Sequence, residues 1–424
     1  MGIRFRLTLM IFLQYFIWGS WLISLGSYLG NTLHFSGSQI GSIFATMGIA
    51  SLFMPGLLGI VADRWINAER LLGICHLIGA ILLFLAASAI DSQTMYVIIL
   101  FYAMTYMPTI SLSNTVSYYT LEDNGLDIIT KFPSIRVWGT IGFIVAMWIV
   151  DLMNWGLSPF QLYLGSASSI ALAIYSVTLP KCRPLKRTEK RTLFSSLGFD
   201  AIVLFKQRKM AIFLIFAILL GAALQITNTF GQSFLHDFNA RYADSFAVVH
   251  PGLLMSISQI SETFFILTIP YFLNRFGIKK VILISIFAWV ARFALFGLGN
   301  PAEGLFLLIL SMIIYGIAFD FFLISGSLYV ETETEPGIRA SAQGLYMIMA
   351  NGIGAFIGGV ASGKVIDSFT VSGIKDWRSI WFVFAGYALL LAIAFLILFR
   401  FKTEKGDFKS NTKKLVISEV TLQP

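Results

Sequence analysis

Long apolar runs alternate with short polar stretches along this chain. A helix needs about 20 apolar residues to cross the hydrocarbon core of a bilayer. Twelve such runs are predicted as spans, near 7–29, 38–62, 71–90, 95–119, 134–154, 160–179, 210–233, 251–273, 279–298, 304–330, 339–366 and 379–399. Several are rich in Gly, Ser and Ala, as at Asn351-Gly-Ile-Gly-Ala-Phe-Ile-Gly-Gly. Small side chains let helix backbones approach closely where lipid supplies no hydrophobic drive for association. The first run follows Arg4 and Arg6, but it is long enough to span and lacks a small-residue cleavage pattern. It is expected to be retained, not cleaved as a signal peptide.

Composition points the same way. Of 424 residues, 57% are hydrophobic, 15% aromatic and 12% charged, against about 25% charged in soluble domains. With a mean hydropathy of +0.79, these values exclude a soluble enzyme, a disordered chain and a disulfide-rich secreted domain. The expected class is an all-α integral membrane protein. Cys75 and Cys182 cannot build a disulfide framework. No two of His34, His76, His236 and His250 stand at metal-ligand spacing, so no metal site is expected.

The formal net charge of +8 is informative for topology. With the N-terminus inside, 24 of the 30 basic residues fall on the cytoplasmic side. Only Arg241, Lys375 and Arg378 fall outside, while Arg136, Arg292 and Lys364 lie within spans. The positive-inside rule therefore predicts both termini in the cytoplasm. The longest inside loop carries Lys181, Arg183, Lys186, Arg187, Lys190, Arg191, Lys206, Arg208 and Lys209. It reads as a topology-fixing linker beside anionic lipid. The expected organisation is a six-helix bundle over 1–180, a basic cytoplasmic linker over 181–209, a second six-helix bundle over 210–400 and a cytoplasmic tail over 401–424.

A repeat supports this division. Gly59-Ile-Val-Ala-Asp63-Arg64-Trp65 follows the second span, and Pro270-Tyr-Phe-Leu-Asn274-Arg275-Phe-Gly277-Ile-Lys279-Lys280 follows the eighth. Both are cytoplasmic turns six spans apart, each with an acid or amide followed by Arg. They resemble the G-x-x-x-D-[RK]-x-G-[RK]-[RK] signature of the major facilitator superfamily, although Asn67 and Glu69 depart from it in the first copy. Asp63, Arg64 and Arg275 are read as a gating latch. A charged pair at a helix end can bond to a neighbouring terminus in one state and release it in the other.

Charge near the bilayer centre costs about 2.5–3.5 kcal/mol on insertion scales, so such residues should face a cavity or a partner. Arg136, Thr140 and Phe143 are spaced i, i+4, i+7 on one helix face. Gln225 and Asn228, and likewise Gln259 and Glu262, are spaced i, i+3. Tyr315, Phe319 and Asp320 share the tenth span. Read from the residues alone, the three amides serve equally as ligands or as helix ties, and the rings serve as packing. His76 reads as a satisfied packing residue, Arg292 as a structural partner or more, and Lys364 as snorkelling outward. One cation against two acids disfavours a strongly anionic ligand. A neutral, planar, hydroxylated solute fits, without deciding between nucleoside, sugar and drug.

Longer motifs carry a resemblance. Phe12-Leu-Gln14-Tyr-Phe-Ile-Trp18-Gly-Ser, Phe132-Pro-Ser-Ile-Arg136-Val-Trp-Gly-Thr140-Ile-Gly-Phe143, Leu224-Gln225-Ile-Thr-Asn228, Met255-Ser-Ile-Ser-Gln259-Ile-Ser-Glu262-Thr, Tyr315-Gly-Ile-Ala-Phe319-Asp320-Phe-Phe and Ile338-Arg339-Ala-Ser-Ala-Gln343-Gly resemble the nucleoside:proton symporter family. The resemblance implies the major facilitator fold, with twelve transmembrane helices in two pseudo-symmetric halves. It implies proton-coupled uptake of nucleosides such as uridine, adenosine, cytidine and guanosine across the bacterial inner membrane by a functional monomer. Only the proton acts as coupling ion, with no cofactor. Membrane lipids, not nucleic acid, are the other partners. By position, Arg136, Thr140, Phe143, Gln225, Asn228, Gln259, Glu262, Tyr315 and Phe319 are implied to line the nucleoside site, and Glu262 or Asp320 to couple the proton. Leu323 stands where an amide is expected.

Three rivals remain at this point. A drug-efflux antiporter would carry a Gly-Pro-rich fifth span, but Gly139-Thr-Ile-Gly142 has no proline after it. A membrane enzyme would need a nucleophile–base pair or metal cluster. A channel is disfavoured by the two-fold repeat.

Overall fold

The computed structural model describes residues 2–182, 199–335 and 338–399. Arg183, Lys186, Arg187, Lys190 and Arg191 of the linker, and the tail 401–424, lie outside the described residues. Helix occupies each of the twelve predicted runs. In chain order these are α1 (Ile3–Gly19), α2 (Gly37–Arg64), α3 (Ala68–Ala86), α4 (Ser92–Asp123), α5 (Ile128–Leu152) and α6 (Phe160–Ser176). There follow α7 (Arg208–His236), α8 (Pro251–Ile266), α9 (Ile278–Leu298), α10 (Leu305–Glu333), α11 and α12 (Trp377–Leu398). A 55° bend continues α8 as Ile269–Phe276. The α11 span comprises Arg339–Met347 and Ala355–Ser368, joined by the π-helical stretch Ile348–Gly354.

Among the described residues, nine helices are individually long and apolar enough to cross a bilayer, and the bent α8 makes a tenth. The remaining two, α1 and α6, have 17 residues each, giving about 25 Å against a hydrocarbon core of about 30 Å. After a break at 20–24, the first run resumes as Leu25–Ser27 and Tyr28–Thr32. The α4 helix exceeds its predicted run because polar residues complete its last turns. Its start is fixed by Asp91, whose carboxylate accepts from the Thr94 N–H at 2.8 Å. The C-terminal part of the predicted linker is also ordered: Phe199–Lys206 forms a 3₁₀ helix that buries Ala201 and Leu204.

Helix pairing repeats with a displacement of six. In the first set α1 packs on α5, α2 on α4 and α3 on α6; in the second α7 packs on α11, α8 on α10 and α9 on α12. Across the sets, α2 packs on α11 and α5 on α8. The α2–α11 seam is backbone against backbone. A Cβ on Gly37 would lie 2.7 Å from the Gly363 carbonyl oxygen, and one on Gly359 would lie 2.6 Å from that of Gly41. The small-residue stretch near 351–359 thus does what its composition predicts.

Candidate functional site

Between the two sets lies a cavity of about 730 Å³, lined by residues of α1, α2, α4, α5, α7, α8, α10 and α11. The helices α3, α6, α9 and α12 pack behind these and contribute nothing to its described lining. On α2 the lining runs from Met47 to Gly56, and on α11 from Ser341 to Ala355. The cavity therefore extends from mid-membrane towards the end bearing Arg4, Arg64, Lys131 and Arg275. Ser111 and Asn351 are solvent-exposed although each lies mid-helix.

The opposite end is closed by bonds between the sets. Asp367 accepts from the backbone N–H of Gly37 at 2.6 Å and of Ser38 at 2.9 Å, capping α2. Asp151 accepts from Gly252 N–H at 2.7 Å and pairs with His250 Nδ1 at 2.9 Å. Asn31 donates to Asp237 at 3.0 Å, and Asp237 is held in turn by Lys375 and Trp377, each at 2.8 Å. Trp148 Nε1 donates to Ser256 at 2.9 Å.

All nine residues carried by the resemblance line this one cavity: Arg136, Thr140 and Phe143 from α5, Gln225 and Asn228 from α7, Gln259 and Glu262 from α8, Tyr315 and Phe319 from α10. The spacings account for this, since i, i+3, i+4 and i+7 share one helix face. Among the described residues, no hydrogen bond from these amides ties one helix to another. The Gln225 side chain makes, among the described residues, only a long 3.5 Å bond to Thr229 of its own helix, and Gln259 Oε1 has no partner among them. Tyr315 and Phe319, one turn apart, stack at 5.7 Å with planes 12° apart.

Some residues depart from expectation. Asp320 follows Phe319 by one residue, about 100° round the helix. It lies behind the cavity wall, 2% exposed, with Oδ2 unpartnered among the described residues. Arg292 does not line the cavity and pairs with no carboxylate among the described residues. Leu323 is not in the lining, and its carbonyl accepts from the Tyr346 hydroxyl at 3.2 Å. The position at which an amide was expected therefore does not line the cavity in this state. Asp63 and Arg64 at the end of α2 and Arg275 at the end of α8 are exposed at the open end. Arg275 donates to Tyr271 of its own helix at 2.8 Å, and Gly277, at φ 76°, turns the chain into α9. His76 is a satisfied packing residue, as expected: Nε2 lies 2.8 Å from Gln14 Oε1 and Nδ1 3.1 Å from Ser169 Oγ, while the Ser169 hydroxyl donates to the His76 carbonyl at 3.0 Å.

Sequence reasoning missed part of the lining. Tyr15 and Trp18 of α1 complete an aromatic wall with Phe143: Trp18 meets Phe143 edge-on at 6.4 Å, and the Arg136 guanidinium sits 4.1 Å above the Tyr15 ring. Their i, i+3 spacing, continued by Leu22 at i+7, is the signal that marks the face. Asn114 also lines the cavity, with Oδ1 unpartnered among the described residues.

Known proteins place the chain. Residues 1–404 match the family described as Nucleoside H+ symporter. The chain is 54% identical to the xanthosine permease of Escherichia coli K12, covering 96% of this chain and 99% of that protein. It is 53% identical to the nucleoside permease NupG of the same organism, covering 95% and 97%. The crystal structure of nucleoside transporter NupG superposes with a TM-score of 0.90 at 53% identity, over 95% of this chain and 100% of that one. A POT family transporter shares the fold alone, with a TM-score of 0.70 at 14% identity, over 94% of this chain and 96% of that one. The chain is therefore a multi-pass membrane protein of the major facilitator fold, a transporter and not an enzyme, and it belongs to the nucleoside:proton symporter family.

Proposed function

We propose that the central cavity is the nucleoside chamber of a proton-coupled uptake carrier, held in a state open to the cytoplasm. One observation carries this reading: nine polar and aromatic side chains from α5, α7, α8 and α10 meet in a single space of about 730 Å³. A planar base is accommodated between the Trp18–Phe143 wall and the Tyr315–Phe319 stack, while the amides and Arg136 meet ribose hydroxyls and base edges. The basic end is the cytoplasmic one under the positive-inside rule, which puts both termini inside and the chain in the inner membrane. The carrier works as a monomer of two six-helix bundles, 1–180 and 210–400. Asp63, Arg64 and Arg275 serve as its inner latch.

Coupling assigns different tasks to the two acids. Glu262 lines the cavity and senses substrate. Asp320, one layer behind, is shielded from bulk water and holds the proton while the halves rock about the midplane. One proton moving through 150 mV releases about 3.5 kcal/mol, enough for roughly 300-fold accumulation of a neutral solute.

The efflux alternative is not favoured by the family membership, and direction of movement separates the two. Labelled uridine should accumulate in proteoliposomes when the exterior is acidic, should stop accumulating with a protonophore, and should be competed by adenosine, cytidine and guanosine. Uptake indifferent to the protonophore, or uridine driven outward by the same gradient, overturns the reading.

A further inference from the structure

The side chain of Arg292 stands in the middle of α9, 1% exposed, with no carboxylate paired to it among the described residues. A guanidinium is among the least tolerated groups at such a depth, and a serine or amide ties helices without that penalty. Its surroundings show what the charge meets. Nη1 donates to the Ser311 carbonyl at 2.8 Å and to Ser258 Oγ at 3.4 Å. Ser311 Oγ returns a bond to the Arg292 carbonyl at 2.9 Å. The guanidinium carbon lies 4.6 Å from the Tyr315 ring centroid and 5.1 Å from that of Phe296.

Each partner is one step from the cavity. Ser258 precedes Gln259, and Ser311 is one helical turn before Tyr315. Trp289, one turn before Arg292, meets the Tyr315 ring edge-on at 6.2 Å. Tyr315 therefore has Phe319 stacked along its own helix, with Trp289 and Arg292 against it from α9, and it also lines the cavity.

We infer that Arg292 is a positioning residue for the nucleoside site, holding the Tyr315 ring in place from behind by a cation–π contact. This rests on the nucleoside reading above, and it makes a residue that never touches the solute a determinant of affinity. The guanidinium acts through the ring, so its effect exists only while the ring is there.

The test is a double-mutant cycle on purified protein, with uridine affinity read by calorimetry. Arg292→Met keeps length without charge and should weaken binding by about 3- to 30-fold, the span of cation–π contacts from exposed to desolvated. Arg292→Lys should recover part of the loss. In a Tyr315→Ala background, Arg292→Met should change affinity by less than about 2-fold, because the ring it positions is gone. Equal losses in both backgrounds, or wild-type affinity in Arg292→Met, overturn the inference. Should the methionine variant fail to survive extraction, the same cycle is run with Arg292→Gln, which also removes the charge while keeping a donor for the Ser311 carbonyl. A solute-free structure of the variant reads the claim independently: the ring should leave its stack on Phe319, and a ring that stays overturns it. Absence of uridine binding by the unmodified protein counts against the nucleoside reading, whereas the ring position still decides the role of Arg292.

Discussion

Two buried polar clusters, one in each half, are built to opposite rules. In the first half, Gln14 donates to Thr109 at 2.7 Å and accepts from His76, His76 meets Ser169, and the Tyr106 hydroxyl donates to the Gln14 carbonyl at 2.7 Å. The cluster joins α1, α3, α4 and α6, and its side-chain hydrogen-bonding groups are paired with one another. In the second half, Gln259 Oε1, Asp320 Oδ2 and Arg292 Nε are buried without partners among the described residues. An orphaned buried polar atom costs about 1–3 kcal/mol, and most buried polar atoms in proteins avoid that cost. Burial of polar groups alone does not mark function here. Incomplete pairing in and directly behind the cavity wall is the feature that separates the second cluster from the first.

The largest expected effect tests the open cluster. Glu262→Gln and Asp320→Asn remove a titrating group while keeping its shape, so uphill uptake should collapse from the roughly 300-fold limit set by one proton at 150 mV to simple equilibration. Exchange of internal for external nucleoside should persist. Undiminished accumulation in both variants would leave the two clusters equivalent and sink the coupling scheme.

Much of this contrast was legible in the sequence, for a geometric reason. Helix periodicity turns spacing into a face, so Arg136, Thr140 and Phe143 could be placed together before their helix was seen. The glycines near 351–359 predicted close backbone approach because small side chains have that one consequence. Periodicity does not tell which of two adjacent residues takes the wall, so Phe319 reaches the cavity while Asp320 sits behind it. It is also silent on partners far apart in the chain: Asp367 meets Gly37 across 330 residues. Tyr15 and Trp18 escaped notice because, in a chain that is 15% aromatic, one more pair of rings stands out only when its neighbours are known.

A paired comparison gives effects of middle size. Gln14→Leu strands Thr109 and His76 in the closed cluster, and should cost about 1–3 kcal/mol of stability, read as a lower melting temperature with uridine affinity within about 2-fold of the original. Gln259→Leu takes away an amide that was never fully paired. It should leave the melting temperature nearly unchanged and weaken uridine by roughly tenfold, the worth of one good hydrogen bond to the solute. Exchange of these outcomes between the variants would mean that incomplete pairing is not the mark of the site.

The smallest effect lies at the sealed end, where polar groups are satisfied, but across the halves and hence in one state only. Asp367 is such a group: its two oxygens take the N–H groups of Gly37 and Ser38 at the start of α2, where the helix dipole also favours a negative charge. Asp367→Asn keeps one acceptor and loses the charge, so the seal should loosen by about 1 kcal/mol, or roughly 5-fold in the population open outward. A cysteine at Ile23, which lines the cavity on the sealed side, reports this in a background lacking Cys75 and Cys182. Its labelling by an impermeant thiol reagent from outside should quicken by that factor. Asp376→Asn is the control, since Asp376 accepts from Ser379 within its own helix start and crosses no interface; labelling there should be unchanged. Equal rates in all three proteins would show that the carboxylate merely caps α2, and that the glycine seam alone holds the outer face shut.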